Sequence, residues 1–192
     1  MNAMKFKSNT LIEDLIERSR QNMNAAQSFL ELPLERLNHK ETPEKWSALE
    51  CLEHLNRYGN FYIPEIKQGI SESKFKAEEW FKSGLLGNYF ANSVKPREKL
   101  NKMKTFASMN PEGSALDKST IERFIQQHKE KIELLNASRE VSLNKTKTTI
   151  SISKLIKLKL GDTFRVVVYH NERHIVQAQA ALKQSEAMYL AH

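Results

Sequence analysis

The chain has 192 residues, 40% of them hydrophobic and 28% charged, with six glycines, five prolines and one cysteine. It is long enough to bury a real core as one domain spanning 1–192, and one cysteine excludes an internal disulfide. No apolar stretch approaches the roughly 20 residues of a membrane span and the N-terminus has no signal-peptide core, so a cytoplasmic protein without a membrane partner is expected.

The net charge of +7 concentrates in 95–104 and 145–159. Neither stretch interleaves its lysines with the aromatic residues on which single-stranded nucleic acids stack, so both read as solvated loops and no nucleic-acid partner is expected.

The scarcity of glycine and proline favours helices. The first predicted helix covers about 9–37, with Leu11, Ile12, Leu15, Ile16, Met23, Ala26, Phe29 and Leu30 at helical spacing, and Pro33 bends or ends it. The second opens at a capping box of Ser47 and Glu50, with Trp46 and Cys51 placed as a hydrophobic staple. Its stripe runs Leu52, Leu55, Gly59, Tyr62, Ile63, Ile66 and Ile70, and Pro64 inside it predicts a kink. About 45 residues follow, 72–116, too many for a plain loop, and read as a short helix plus turns over one end of the molecule.

A third helix opens at Ser119 with a second capping box, "STIE", and carries Ile121, Phe124, Ile125, His128, Ile132 and Leu135 on one face. The stretch 145–160 alternates Ile and Leu with Ser and Lys and is expected to be mostly extended. The fourth helix begins after "LGD", with Gly161 as turn and Asp162 as cap, and reaches about Gln184; the cap and the long pattern outweigh the strand propensity of "VVV" at 166–168. Four long helices imply an all-α four-helix bundle with an insertion between the second and third.

Such bundle cores are where metal sites are built from facing helices. At ~100° per residue, His170 and His174 fall about 40° apart on one helix face, a ready pair of metal ligands. His54 projects about 100° from the middle of its own stripe, at the core margin beside Cys51, Tyr58 and Tyr62. An H-x-x-x-H pair alone is weak evidence for a metal and is more readily read as two half-buried histidines satisfied by polar neighbours. His39 lies in a polar loop and His192 ends the chain, whereas His128 sits mid-stripe and reads as a core histidine bonded to a backbone or nearby partner. No Ser-His-Asp set, P-loop or Gly-rich dinucleotide turn is present, and the staple position of Cys51 makes it a buried residue rather than a nucleophile.

"EKWSALECLEHLNRY" (44–58), followed much later by "LGDTFRVVVYHNERHIVQAQAAL" (160–182), resembles the DinB-like superfamily of small bacterial bundle proteins. The marks are a Trp-Ser start to the second helix, a histidine one to two turns inside it, and H-x-x-x-H in the fourth; they fall on Trp46, Ser47, His54, His170 and His174. The resemblance runs over essentially the whole chain, including "NKMKTFASMNPEGS" before the third helix. It implies an open divalent-metal site, nickel or zinc, on His54, His170 and His174. It also implies metal-dependent hydrolases or thiol S-transferases, the latter using a low-molecular-weight thiol on a small-molecule substrate; a binding protein without turnover is the alternative. In that setting Glu50 could act as a base or as a cap, Arg173 as a receiver of an anionic substrate group or as a surface residue, and Gln177 as a partner of a ligating histidine. Similar proteins often form homodimers, and Met23, Ala26 and Phe29 on the first helix exceed what one core needs.

Overall fold

The computed structural model describes residues 4–96 and 105–189. The basic stretch 95–104 beyond its first two residues, and His192, lie outside the described residues.

The protein is mostly helical. The described residues form α1 (Ser8–Ser28), α2 (Leu34–Asn38), α3 (Ala48–Ser71), α4 (Leu85–Val94), α5 (Ser119–Ala137) and α6 (Leu160–Tyr189). Two antiparallel pairs accompany them: β1 (Lys5–Lys7) with β2 (Trp80–Lys82), and β3 (Lys147–Ile150) with β4 (Ser153–Lys159). Among the four long helices, α1 and α3 each pack against both α5 and α6. No helix among the described residues is long and apolar enough to cross a membrane.

The predicted first helix divides at Pro33: α1 ends at Ser28, a 3-10 turn covers Phe29–Glu31, and Pro33 caps the short α2. Ala26 and Phe29, expected to be surplus apolar surface, are buried in the chain's own core. Met23, the third residue of that set, is half-buried.

α3 starts as expected. The Glu50 N–H donates to Ser47 Oγ at 3.1 Å, and the Ser47 N–H donates to Glu50 Oε2 at 2.9 Å. The helix stays continuous from Ala48 to Ser71 through Pro64, so the sequence's kink is not a break; the buried Tyr62 and Ile66 hold the turns on either side. Gly59 lets α5 approach closely. A Cβ there would lie 2.0 Å from Gln127 Oε1, whose amide nitrogen donates to the Asn56 carbonyl and to Asn60 Oδ1.

Two helix starts differ from the sequence reading. Ser119 does not cap α5; its N–H and hydroxyl both donate to Asp117 Oδ1, because the aspartate two residues earlier already closes the turn. Asp162 does not cap α6, which runs directly out of β4 at Leu160 and takes Gly161 into its first turn. Asp162 is instead buried and paired with the equally buried Arg165, and accepts from Ser83 Oγ and the Gly84 N–H. Arg165 also donates to Ser83 Oγ and Asn88 Oδ1. This network ties the start of α4 to α6. A Cβ on Gly87 would meet the Asp162 carboxyl at 2.3 Å, so α4 can sit this close only with glycine at that position.

The stretch 145–160, expected to be extended, is the β3–β4 hairpin, in which Thr148 and Leu158 turn inward and Leu155 is almost fully exposed.

The core falls into two apolar clusters. One includes Leu15, Tyr62, Ile66, Leu135, Phe164 and Val168, the other Leu49, Leu52, Leu55, Phe124, Ile175 and Ala178. Each of α3, α5 and α6 passes from one cluster to the other, and at or within a turn of that crossing it carries polar residues: His54 and Asn56 on α3, His128 and Lys131 on α5, and His170, Asn171 and His174 on α6.

Candidate metal centre

A cavity of about 950 Å³ opens at this crossing. His54, His170 and His174 line it together with Trp46, Tyr58 and Tyr62, with Tyr89 and Phe90 of α4, and with Ile150 and Ile152 of the β3–β4 hairpin. Its carboxylates, Glu41 and Glu44, are exposed.

The three imidazoles converge. His54 Nε2 lies 3.3 Å and His174 Nε2 3.1 Å from His170 Nε2, and one ligand nitrogen from each residue falls within 4.8 Å of the others. Two of the rings are fixed from behind. His54 Nδ1 is 2.8 Å from the Met109 carbonyl, which can only accept, so the proton sits on Nδ1 and the Nε2 lone pair faces the cavity. His174 Nδ1 donates likewise to Gln177 Oε1 at 2.9 Å. Such outer partners are the usual means of orienting metal-ligating histidines.

With those tautomers, at most one hydrogen can sit among the three Nε2 atoms in the neutral site. It relieves one close pair and leaves another with lone pairs opposed. A shared cation resolves both close contacts. Metal–nitrogen bonds of ~2.1 Å put neighbouring ligand nitrogens about 3.0 to 3.4 Å apart for right-angled to tetrahedral geometry. The separations of 3.1 and 3.3 Å fall in that range, so the donor set fits a divalent ion of the zinc or nickel kind.

Electrostatics keep the nitrogens available. Burial pushes His54 down to about 4, against the support of the Met109 carbonyl and with Arg57 adding to the shift. Burial holds His170 and His174 well below the ordinary histidine value; His170 also feels His54, Arg173 and Lys131, and His174 feels His170, His54 and Arg173. All three are neutral at pH 7, the form that binds metal. Trp46, which also packs against the apolar cluster containing Cys51, has its ring centroid 4.8 Å from that of His54 and 5.8 Å from that of His174. Tyr58 closes the other side edge-on to His54 and His170, and burial pushes its hydroxyl up to about 12, so it remains a donor.

The other sequence candidates separate. Gln177 and Arg173 line the cavity, and Arg173 is buried rather than on the surface. Glu50 is not on the cavity wall; its carboxylate is occupied by the Ser47 N–H and by Lys40 at 3.2 Å. Cys51 is fully buried, which pushes its thiol up and leaves it unreactive. His128 is a core residue outside the trio, with Nδ1 donating to the Phe124 carbonyl at 2.9 Å.

One buried residue of the cavity wall escaped the sequence reading. Lys131 is buried and lines the cavity, with its ammonium 2.6 Å from Asn171 Oδ1 and 3.2 Å from His128 Nε2; burial pushes it down to about 7. The signal was its place three residues after His128 and four before Leu135, inside the apolar stripe.

A mostly helical protein with a histidine trio facing a large open cavity is thus defined by structure alone. The family model of the DinB superfamily matches residues 15–178, and the chain belongs to that superfamily. Neither a curated protein nor a solved structure is significantly similar to it.

Proposed function

We propose that the chain holds one divalent metal ion, nickel or zinc, on His54, His170 and His174. In this reading it uses the ion as a metal-dependent enzyme of the thiol S-transferase or hydrolase kind, acting on a small molecule in the cytoplasm. The four long helices are read as the four-helix bundle of the superfamily, with residues 1–192 as one domain. The observation that carries the reading is the convergence of three neutral imidazole nitrogens on one point in the wall of a cavity of about 950 Å³. A cavity of that size accommodates a drug-sized ligand, or a thiol together with a second small molecule.

Held by these three uncharged donors, such an ion would keep its double charge and would supply the polarisation that lowers the pKa of a bound water or thiol. The chain's own residues do the rest. Met109 and Gln177 lock two imidazole tautomers. Trp46 and Tyr58 shield the histidines from water, and the Tyr58 hydroxyl is a hydrogen-bond donor toward the cavity.

A second reading, a metal- or ligand-binding protein without turnover, is favoured by one observation. The cavity's carboxylates are the exposed Glu41 and Glu44, so among the described residues no buried carboxylate lines the cavity as a base.

Elemental analysis of protein purified without an affinity tag tests the metal, with about one equivalent of divalent ion expected. Assays over low-molecular-weight thiols with electrophiles, and over amide and ester substrates, then separate the readings. Metal-dependent turnover lost in His54→Ala supports the enzyme; metal binding with no turnover over the whole panel leaves the binding protein. Homodimer formation, also proposed, is checked by light scattering at tens of micromolar.

A further inference from the structure

We propose that Lys131, held by Asn171 and His128, is the anchor for an anionic group of the ligand, a carboxylate, so that the cavity selects acids over their neutral analogues. The inference rests on reading the cavity as the substrate chamber of the histidine trio.

The placement of the ammonium carries the argument. It has three N–H donors. Asn171 Oδ1 takes one at 2.6 Å, and His128 Nε2, free to accept because Nδ1 donates to Phe124, takes another at 3.2 Å. The third is left to the cavity that Lys131 and Asn171 both line. Lys131 is 3% exposed, and among the described residues no carboxylate pairs with it. An ion buried with only neutral partners lacks compensation for lost hydration, and a group of opposite charge in the cavity supplies it. Arg173 on the same wall adds positive potential. The position suits the chemistry as well. Lys131 and the trio line the same cavity, and His170 feels the lysine's charge, so an acid anchored at Lys131 has its remaining atoms near the trio. Tyr58, Tyr62, Phe90 and Phe106 give those atoms an aromatic wall.

The probes are 3-phenylpropionate and its neutral analogue 3-phenylpropionamide, with affinities measured by ligand-observed NMR on chelator-treated protein at constant ionic strength. The wild type is expected to prefer the acid by about tenfold or more. Lys131→Met replaces the amine with an apolar side chain of similar length and should bring the two affinities within a factor of two while leaving the melting temperature at or above wild type. Asn171→Asp gives Lys131 an internal counter-charge and should abolish the preference with the amine still in place. This second variant keeps the test decisive if the first fails to fold. A wild type that binds both probes equally, or a preference retained in either variant, overturns the proposal. Metal content is measured on the same preparations before the chelator is added. One equivalent of metal without acid preference sinks the anchor and keeps the metal site, whereas acid preference in a protein that never takes up metal sinks the site and keeps the anchor.

Discussion

His54 Nδ1 and the backbone carbonyl of Met109 are joined at 2.8 Å, so the orientation of a histidine on α3 depends on a segment far along the chain. Arg57, one turn after His54's neighbour Glu53, holds that segment by donating to the Asn110 carbonyl and to Ser114 Oγ, and it is itself aligned by Glu53 Oε1 at 3.0 Å. Arg57→Met should therefore lower metal affinity by about tenfold although Arg57 touches no histidine nitrogen, the usual range for lost outer partners being 10 to 100. Competition titration against a chromophoric chelator measures it. An unchanged affinity would show that His54 holds its tautomer without the segment.

Gln177→Leu should have a similar effect through His174, whose Nδ1 donates to Gln177 Oε1 at 2.9 Å. The expected loss is about 10- to 100-fold in metal affinity, with melting temperature near wild type because Gln177 is only half-buried. Affinity within a factor of two of wild type would remove Gln177 from the support of the site.

Alanine variants of His54, His170 and His174 should be strongly non-additive. Any one leaves two ligands and collapses binding, so double variants cost little more. His128→Ala should instead lower the melting temperature and leave metal content near one equivalent, because His128 bonds Phe124 and Lys131 rather than the trio. Bound metal and melting temperature, with and without chelator, are the readouts. Additive losses across the trio would show three independent residues.

Metal-free protein should lose stability in mild acid. The folded-state pKa of His54 is depressed to about 4, and those of His128, His170 and His174 lie well below the ordinary value. The unfolded chain, titrating near ~6.5, then binds more protons than the folded one. The stabilisation these groups give is present above pH ~6.5 and drains away as pH falls toward 4; at pH 5 the His54 share alone is about 2 kcal/mol. Thermal melts in chelator from pH 8 to 5 should show a steep fall below about 6.5. A flat profile would mean the histidines protonate inside the fold at no cost.

Asp162→Ala should be the most damaging single change distant from the histidines. It leaves Arg165, 1% exposed, without its buried partner, and such a loss typically costs about 3–5 kcal/mol. At 2–4 °C per kcal/mol for a chain of this size, a fall of roughly 10 °C is expected by calorimetry. A change under about 2 °C would mean that α4 is held by other contacts.

The long elements were legible because helical periodicity is a local signal. Leu52, Leu55, Tyr62 and Ile66 fall on one face whatever they pack against, and all are buried. The trio was legible only through resemblance, since H-x-x-x-H spacing says nothing about a third residue on another helix. Asp162 was misread because an aspartate after a glycine looks like a cap, and only the fold reveals the arginine and the α4 backbone that claim it. The β1–β2 pair left no trace, because three-residue strands joined across more than 70 positions have no period to detect. Lys131 was passed over because lysines on an apolar stripe usually extend their charge to water, and here the cavity takes the place of that water.

The polar crossing between the two apolar clusters has a mechanical consequence. Hydrophobic cohesion is interrupted at one level on α3, α5 and α6 alike, so that level is the weakest joint in the interior and the natural boundary between two cooperative units. A cation gripped by α3 and α6 there would act as a rivet through the seam. Hydrogen exchange would see its arrival as slowed opening of amides on both sides at once, well beyond the residues that touch it.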